Sequence, residues 1–160
     1  MRDEKYFTEE NMEHILREMG EIFREHGKGT INEMLTPDFV SCSIKEKTYL
    51  SAYKTVEWMR NPNGTLHGGF MSSTFDNAMG ILANFYGKQS MTQTVSMQIS
   101  YLSPGSIGER FMIRSRVLKA GRTMQYLNAE AWMEGKEEKL VATATGVYYT
   151  LGDRKLFEYK

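Results

Sequence analysis

Two adjacent glycines, Gly68 and Gly69, follow His67 where a helical apolar pattern begins, and Asp76 sits inside that pattern. The first turn of a helix leaves backbone N–H groups without intrahelical partners, and the aligned peptide dipoles make that end partly positive. A carbonyl oxygen placed there is polarised, and an oxyanion formed from it is stabilised. One such donor is typically worth ~10²–10³ in rate. Glycine also lets a bulky acyl group approach the backbone closely. The same glycines are expected if they only relieve crowding between helix and strand.

Aspartate is a poor helix-interior residue and is rarely buried without a partner. Ser72, Ser73, Gly80 and Ala83 share its face at spacings of three, four and seven. This narrow face of small residues suits a close helix–helix contact or a ligand, which makes Ser73 a candidate substrate contact. An Asp76 that merely hydrogen-bonds a neighbouring segment is the simpler alternative. At ~1.5 Å of rise per residue, Gly68 and Asp76 lie about 12 Å apart along one helix. One helix cannot easily bring both to the same reacting carbon. If both react, they come from different subunits. Two antiparallel copies of the helix would place Gly68 of one near Asp76 of the other, twice over, which predicts an isologous dimer with two composite sites.

The elements that must position these residues follow from periodicity. Residues 68–86 read as a helix, with Phe70, Met71, Phe75, Met79, Leu82 and Phe85 at helical spacing and Gly87 as the stop. Residues 8–26 read as an amphipathic helix carrying Met12, Ile15, Leu16, Met19, Ile22 and Phe23 on one face. Thr8 is its N-cap, Glu9 and Glu10 suit the dipole, and Gly27 and Gly29 end it. Strands are expected over 38–45 and 48–59, then a turn at Asn63-Gly64. From Met91 to Tyr101 the period becomes two. Met91, Val95, Met97, Ile99 and Tyr101 fall on the expected buried face, and Thr92, Thr94, Ser96, Gln98 and Ser100 on the polar one. Ser103-Pro104-Gly105 makes a turn. Further strands are expected over 109–119, 122–133 and 139–150, with a hairpin turn at Glu134-Gly135-Lys136-Glu137.

Short connections imply antiparallel neighbours. A single apolar helix among six strands must be covered by the sheet. The expected fold is therefore α+β: a curved antiparallel sheet of about six strands wrapped around one long central helix, the hotdog arrangement, with an extra N-terminal helix. Residues 1–37 form the helical extension and 38–160 the hotdog domain.

At 160 residues, 41% apolar and 25% charged, the chain suits one globular domain with a substantial core. A formal net charge of zero argues against a general nucleic-acid or anionic-membrane surface. No apolar run approaches the ~18 residues needed to span a bilayer, and Met1 to Lys5 lack the core of a signal peptide. The single cysteine, Cys42, excludes an internal disulfide and fits a reducing cytoplasm, the expected location. Cys42 reads as a small buried strand residue, not a nucleophile. His14 and His26 read as surface residues of the first helix. Gly27-Lys28-Gly29 lacks the rest of a phosphate loop.

Asn61, six residues before His67-Gly68-Gly69, with Asp76 nine residues after the histidine, resembles the pattern of the PaaI-type hotdog thioesterases, which hydrolyse acyl-coenzyme A thioesters. Ile99-Ser100-Tyr101-Leu102-Ser103-Pro104 with Gly108-Glu109 resembles the strand and turn after the helix in that family. Val117-Leu118-Lys119-Ala120-Gly121-Arg122-Thr123 resembles its next turn, which often lies near the coenzyme A tail. The similarity covers roughly residues 38–150.

The resemblance implies a division of roles. The Gly68 N–H, with Gly69 beside it, polarises the thioester carbonyl, and Asp76 of the partner subunit is general base or nucleophile. Asn61 helps hold the water or the thioester, His67 orients or caps, and Thr94, eighteen residues after Asp76, assists the water. Lys119, Gly121 and Arg122 meet the coenzyme A tail, although a solvated hairpin turn explains the two cations equally well. The implied partners are an acyl-CoA substrate and a second copy of the chain, in a dimer or a dimer of dimers. No nucleic acid, membrane, metal or separate cofactor is implied, since coenzyme A is part of the substrate. Thr74 stands where the family usually has leucine, which implies a more polar or reshaped acyl pocket. A hotdog protein that binds acyl-CoA without hydrolysing it is the main alternative. A hydratase is disfavoured, because such enzymes usually pair a carboxylate with a histidine and none follows Asp76.

Overall fold

The computed structural model describes residues 5–155; residues 1–4 and 156–160, at the two ends of the expected division, lie outside them. Helix α1 (Glu9–His26) leads through a short turn of helix, α2 (Ile31–Met34), into β1 (Asp38–Ser43) and β2 (Thr48–Lys54). A 3-10 turn (Glu57–Met59) and a loop precede α3 (Gly68–Tyr86), and β3 (Ser90–Tyr101), β4 (Arg110–Ala120), β5 (Met124–Met133) and β6 (Leu140–Lys155) follow. The six strands form one antiparallel sheet in the order β1-β2-β4-β5-β6-β3.

The bounds of α3 are those that periodicity predicts. Phe75, Ala78, Met79, Leu82 and Phe85 are fully buried against the sheet, and the Gly87 N–H closes the helix on the Ala83 carbonyl. The covering face of the sheet presents Tyr49 and Tyr53 of β2, Phe111 and Ile113 of β4, Leu127 and Ala131 of β5, and Ala142 and Tyr148 of β6. Helix α1 is capped as expected, with the Asn11 N–H donating to the Thr8 hydroxyl at 3.2 Å. Its Met12 and Leu16 are fully buried in the same core as Phe85. The Tyr6 hydroxyl also donates to the Phe85 carbonyl at 3.1 Å.

Three expectations need correction. The second strand ends at Lys54, not at residue 59. Thr55 donates both its N–H (3.2 Å) and its hydroxyl (2.7 Å) to the Glu109 carbonyl, and the chain then leaves the sheet to reach the start of α3. The Val and Trp that suggest strand instead serve the connection, where Trp58 packs edge-on against Phe70.

The short link between β3 and β4 does not make them neighbours. β3 pairs with β6 at one edge of the sheet. Residues 102–109 cross from that edge, tied down where the Leu102 and Ser103 N–H groups donate to Val141, Leu66 to Gly105, and Gly108 to Thr55.

The third correction concerns phase. In β3, Thr94 lies opposite Tyr148 and Ser96 opposite Val147, which leaves Val95 as an extra, exposed residue. This bulge shifts the alternation by one. Thr92 and Thr94 therefore share the helix-facing side with Met97, Ile99 and Tyr101, the partners of Gly146, Ala144 and Ala142.

Candidate active site

The loop before α3 is organised by Asn61. Its Oδ1 accepts from the N–H groups of Asn63 (2.9 Å) and Thr65 (3.1 Å), and its Nδ2 donates to the Thr65 hydroxyl (2.9 Å). These bonds fold the turn at Asn63-Gly64, where Gly64 has φ +81°. Asn61 is thus engaged in its own loop, and the water-holding role implied by resemblance draws on only one remaining amide proton.

His67 is the N-cap of α3. Its Nδ1 accepts from the Gly69 N–H at 3.0 Å, so its ring proton sits on Nε2. Its carbonyl accepts from Phe70 (3.0 Å) and Met71 (3.1 Å). Of the four N–H groups in the first turn, only that of Gly68 has no partner among the described residues. The two glycines also answer to crowding. A Cβ at Gly68 would lie 3.3 Å from the Tyr101 ring, and one at Gly69 3.1 Å from the His67 ring. Ser73 turns its hydroxyl back to the Gly69 carbonyl at 3.0 Å, and Ser72 does the same to Gly68.

Asp76 is half-buried and faces β3 and β6. Its Oδ1 accepts from the Thr94 hydroxyl at 2.7 Å and from the Tyr148 hydroxyl at 3.2 Å. Burial, and then the charge of Asp76, push the Tyr148 phenol well above its ordinary range, so it remains a neutral donor. The Oδ2 of Asp76 has no hydrogen bond within the described residues. Next to it, Asn77 accepts from the Tyr53 hydroxyl at 2.9 Å. One oxygen of the carboxylate is fixed and the other is open. Thr74 is fully buried and donates to the Met71 carbonyl at 2.8 Å. Its hydroxyl is satisfied within the helix, so the expectation of a more polar pocket on its account does not hold.

Lys119, Gly121 and Arg122 lie exposed at the far end, around the β4–β5 turn. Gly121 and Arg122 line a groove of about 360 Å³ with Phe7, Tyr86 and Lys88, beside the C-terminus of α3. Neither Lys119 nor Arg122 has an ion-pair partner among the described residues. In one protomer, then, the expected residues form three groups along α3: the cap, the carboxylate and the groove.

This arrangement has relatives. The sequence profile described as Thioesterase superfamily matches residues 63–139. That match lies over the core of the sheet and its central helix and takes in just under half of the chain. The chain has the hotdog fold and is similar to the thioesterase superfamily. The resemblance to PaaI-type proteins is borne out. The chain is 35% identical over 79 residues to human acyl-coenzyme A thioesterase 13, covering 48% of this chain and 55% of that protein. The match thus spans about half the length of that relative. A Streptococcus mutans protein, solved bound to acetyl CoA, superposes with TM-score 0.65 at 26% identity, over 74% of this chain and 91% of that one. The Escherichia coli PaaI protein superposes with TM-score 0.72 at 19% identity over 88% and 96%, which speaks to fold.

Two members of this site are absent from the sequence reading. Tyr148 is the second donor to Asp76, and Tyr101 packs on Gly68. The sequence does place Tyr101 on an inward face of its strand. It gives no sign that either hydroxyl turns toward α3, because that depends on strand order.

Proposed function

We propose that the protein hydrolyses acyl-CoA thioesters, with Gly68 of one subunit and Asp76 of a second completing each site. The observation that carries this reading is the pairing of one open donor with one open carboxylate oxygen. Among the described residues the Gly68 N–H is the single unclaimed donor of the α3 N-terminus, and Asp76 Oδ2 has no partner while Thr94 and Tyr148 hold Oδ1. The thioester carbonyl binds at the Gly68 N–H, where the dipole of α3 adds to polarisation. Oδ2 of Asp76 takes a proton from water as it attacks the carbonyl carbon, or attacks that carbon itself. In the first route the C–S bond breaks as the proton held by Asp76 passes to the departing sulfur. In the second, attack expels the thiolate and leaves an acyl–aspartyl anhydride, which water then cleaves to free the acid and restore Asp76, with the released proton going to the thiolate. Both routes yield the acid and coenzyme A as the thiol.

The rise of the helix supports a shared site, since Gly68 and Asp76 of one chain lie about 12 Å apart. β3 supports it too. It is a twelve-residue edge strand carrying Thr94 and an exposed Val95, the kind of edge that proteins usually cover. Pairing this edge with a second copy brings two α3 helices together antiparallel. The basic groove lies ten residues beyond Asp76, about 15 Å along α3. It suits the phosphate-bearing tail of a substrate whose thioester sits at the shared site, with Lys88 joining Lys119 and Arg122. The names of the relatives support the substrate class, as does acetyl CoA in the Streptococcus mutans protein. The proposed chemistry requires no separate cofactor.

The engagement of Asn61 in its own loop favours one second reading, a protein that binds acyl-CoA without hydrolysing it. A free-thiol release assay over short, long and aromatic acyl-CoAs separates the two. Hydrolysis by the wild type and a loss of ~10² or more in kcat in Asp76→Asn support the proposal. Tight coenzyme A binding without thiol release across the panel would establish the second reading.

A further inference from the structure

We propose that Tyr101 is a positioning residue for the carbonyl-polarising end of α3. The proposal rests on the thioesterase reading of Gly68. An oxyanion donor works by being fixed before the reaction, and misplacement by about 1 Å can cost ~10² in rate. Two consecutive glycines are the worst residues for holding a donor still, because their backbone is the least restricted. Something outside the glycines must supply the restraint.

The peptide between Gly68 and Gly69 is pinned at both ends. Its N–H donates to His67 Nδ1 at 3.0 Å, and its carbonyl accepts from the Tyr101 hydroxyl at 2.9 Å. The Ser72 hydroxyl lies 2.6 Å from the Tyr101 oxygen. The Ser72 hydroxyl is also 3.0 Å from the Gly68 carbonyl, so its one proton goes either to that carbonyl or to Tyr101, and Tyr101 is the donor that reaches this peptide from outside the helix. The neighbouring peptide, which carries the Gly68 N–H, has its carbonyl held by Phe70 and Met71. With both flanking peptides fixed, Gly68 cannot swing its N–H, although its own φ and ψ are unrestricted by a Cβ.

The fit between Gly68 and Tyr101 is also steric. A Cβ on Gly68 would come within 3.3 Å of Tyr101 Cζ and 3.4 Å of its hydroxyl oxygen, so the ring lies where a larger residue would stand. Tyr101 is half exposed and is the last residue of β3, and Thr94 is on the same strand. One strand thus fixes both the carboxylate and, at its other end, the cap.

Tyr101→Phe keeps the ring and removes the donor. The expected result is a kcat lower by on the order of tenfold, with KM changed less than twofold, since a donor used in the transition state affects kcat and kcat/KM alike. Melting temperature should stay within a few degrees. Hydrogen exchange at the Gly69 amide, followed by glycine-selective labelling, should speed up. Ser72→Ala should have the smaller effect on both readouts, because Tyr101 still donates to Gly68. A kcat within twofold of wild type, a raised KM at unchanged kcat, or unchanged Gly69 exchange would each overturn the proposal. Absence of thiol release by the wild type would instead overturn the thioesterase reading, and the exchange measurement would still test the restraint.

Discussion

The Thr94 hydroxyl donates to Oδ1 of Asp76 at 2.7 Å, from a position that strict alternation along its strand would turn away from the helix. The extra residue Val95 makes the contact possible. It leaves residues 96–101 in one phase and residues 92–94 in the other.

Deleting Val95 should therefore remove the bulge and leave the contact in place. With residues 96–101 still paired to β6, Thr94 becomes the direct neighbour of Ser96, stays opposite Tyr148 and keeps its side toward the helix. Thiol release should survive the deletion to within a few fold, whereas Thr94→Val, which keeps both register and bulge, should lose on the order of tenfold in kcat. A deletion that falls as far as Thr94→Val would show that the phase of residues 92–94 is set by something other than pairing with β6, and wild-type turnover in Thr94→Val would show that the contact is idle.

The bounds of α3 and the pattern His67-Gly68-Gly69 with Asp76 are legible in the sequence because each is local. A capped apolar helix announces itself through spacing, and its burial follows from having one helix among six strands. The side of β3 that carries Thr94 is not legible, because a bulge is set by pairing with β6 and leaves no mark in composition. The same holds for Tyr148, which reaches Asp76 only because β6 lies between β5 and β3. The partition at residue 37 is a reading of sequence alone, and α1 and α3 share one core.

That shared core makes a stability prediction. Leu16 is fully buried, in the core that also holds Met12 and Phe85. Leu16→Ala should cost about 2–5 kcal/mol, the usual range for a buried leucine, measured by urea unfolding. A loss below about 0.5 kcal/mol would show that α1 is only loosely attached.

Cys42 is half-buried in β1, and burial, with Glu9 and Glu13 nearby, pushes its thiol up to about 11. A raised value means that the protonated form dominates at neutral pH. Any stability this adds is present below the ordinary thiol range and is lost as pH rises toward 11. Alkylation by iodoacetamide at pH 8 should be slower than for a free thiol by on the order of a hundredfold, and should accelerate as pH rises. Rapid labelling at pH 7 in the folded protein, followed by mass spectrometry, would contradict this.

The central claim is that Gly68 of one subunit works with Asp76 of another, and mixed dimers test it most directly. Asp76→Asn and Gly68→Val should each be inactive alone. When equal amounts are unfolded and refolded together, half of the dimers pair one of each. Each mixed dimer holds one intact composite site, so thiol release should return to about a quarter of the wild-type level. If the mixture stays as inactive as its components while mass spectrometry confirms mixed dimers, Gly68 and Asp76 do not meet across the interface and the account is wrong.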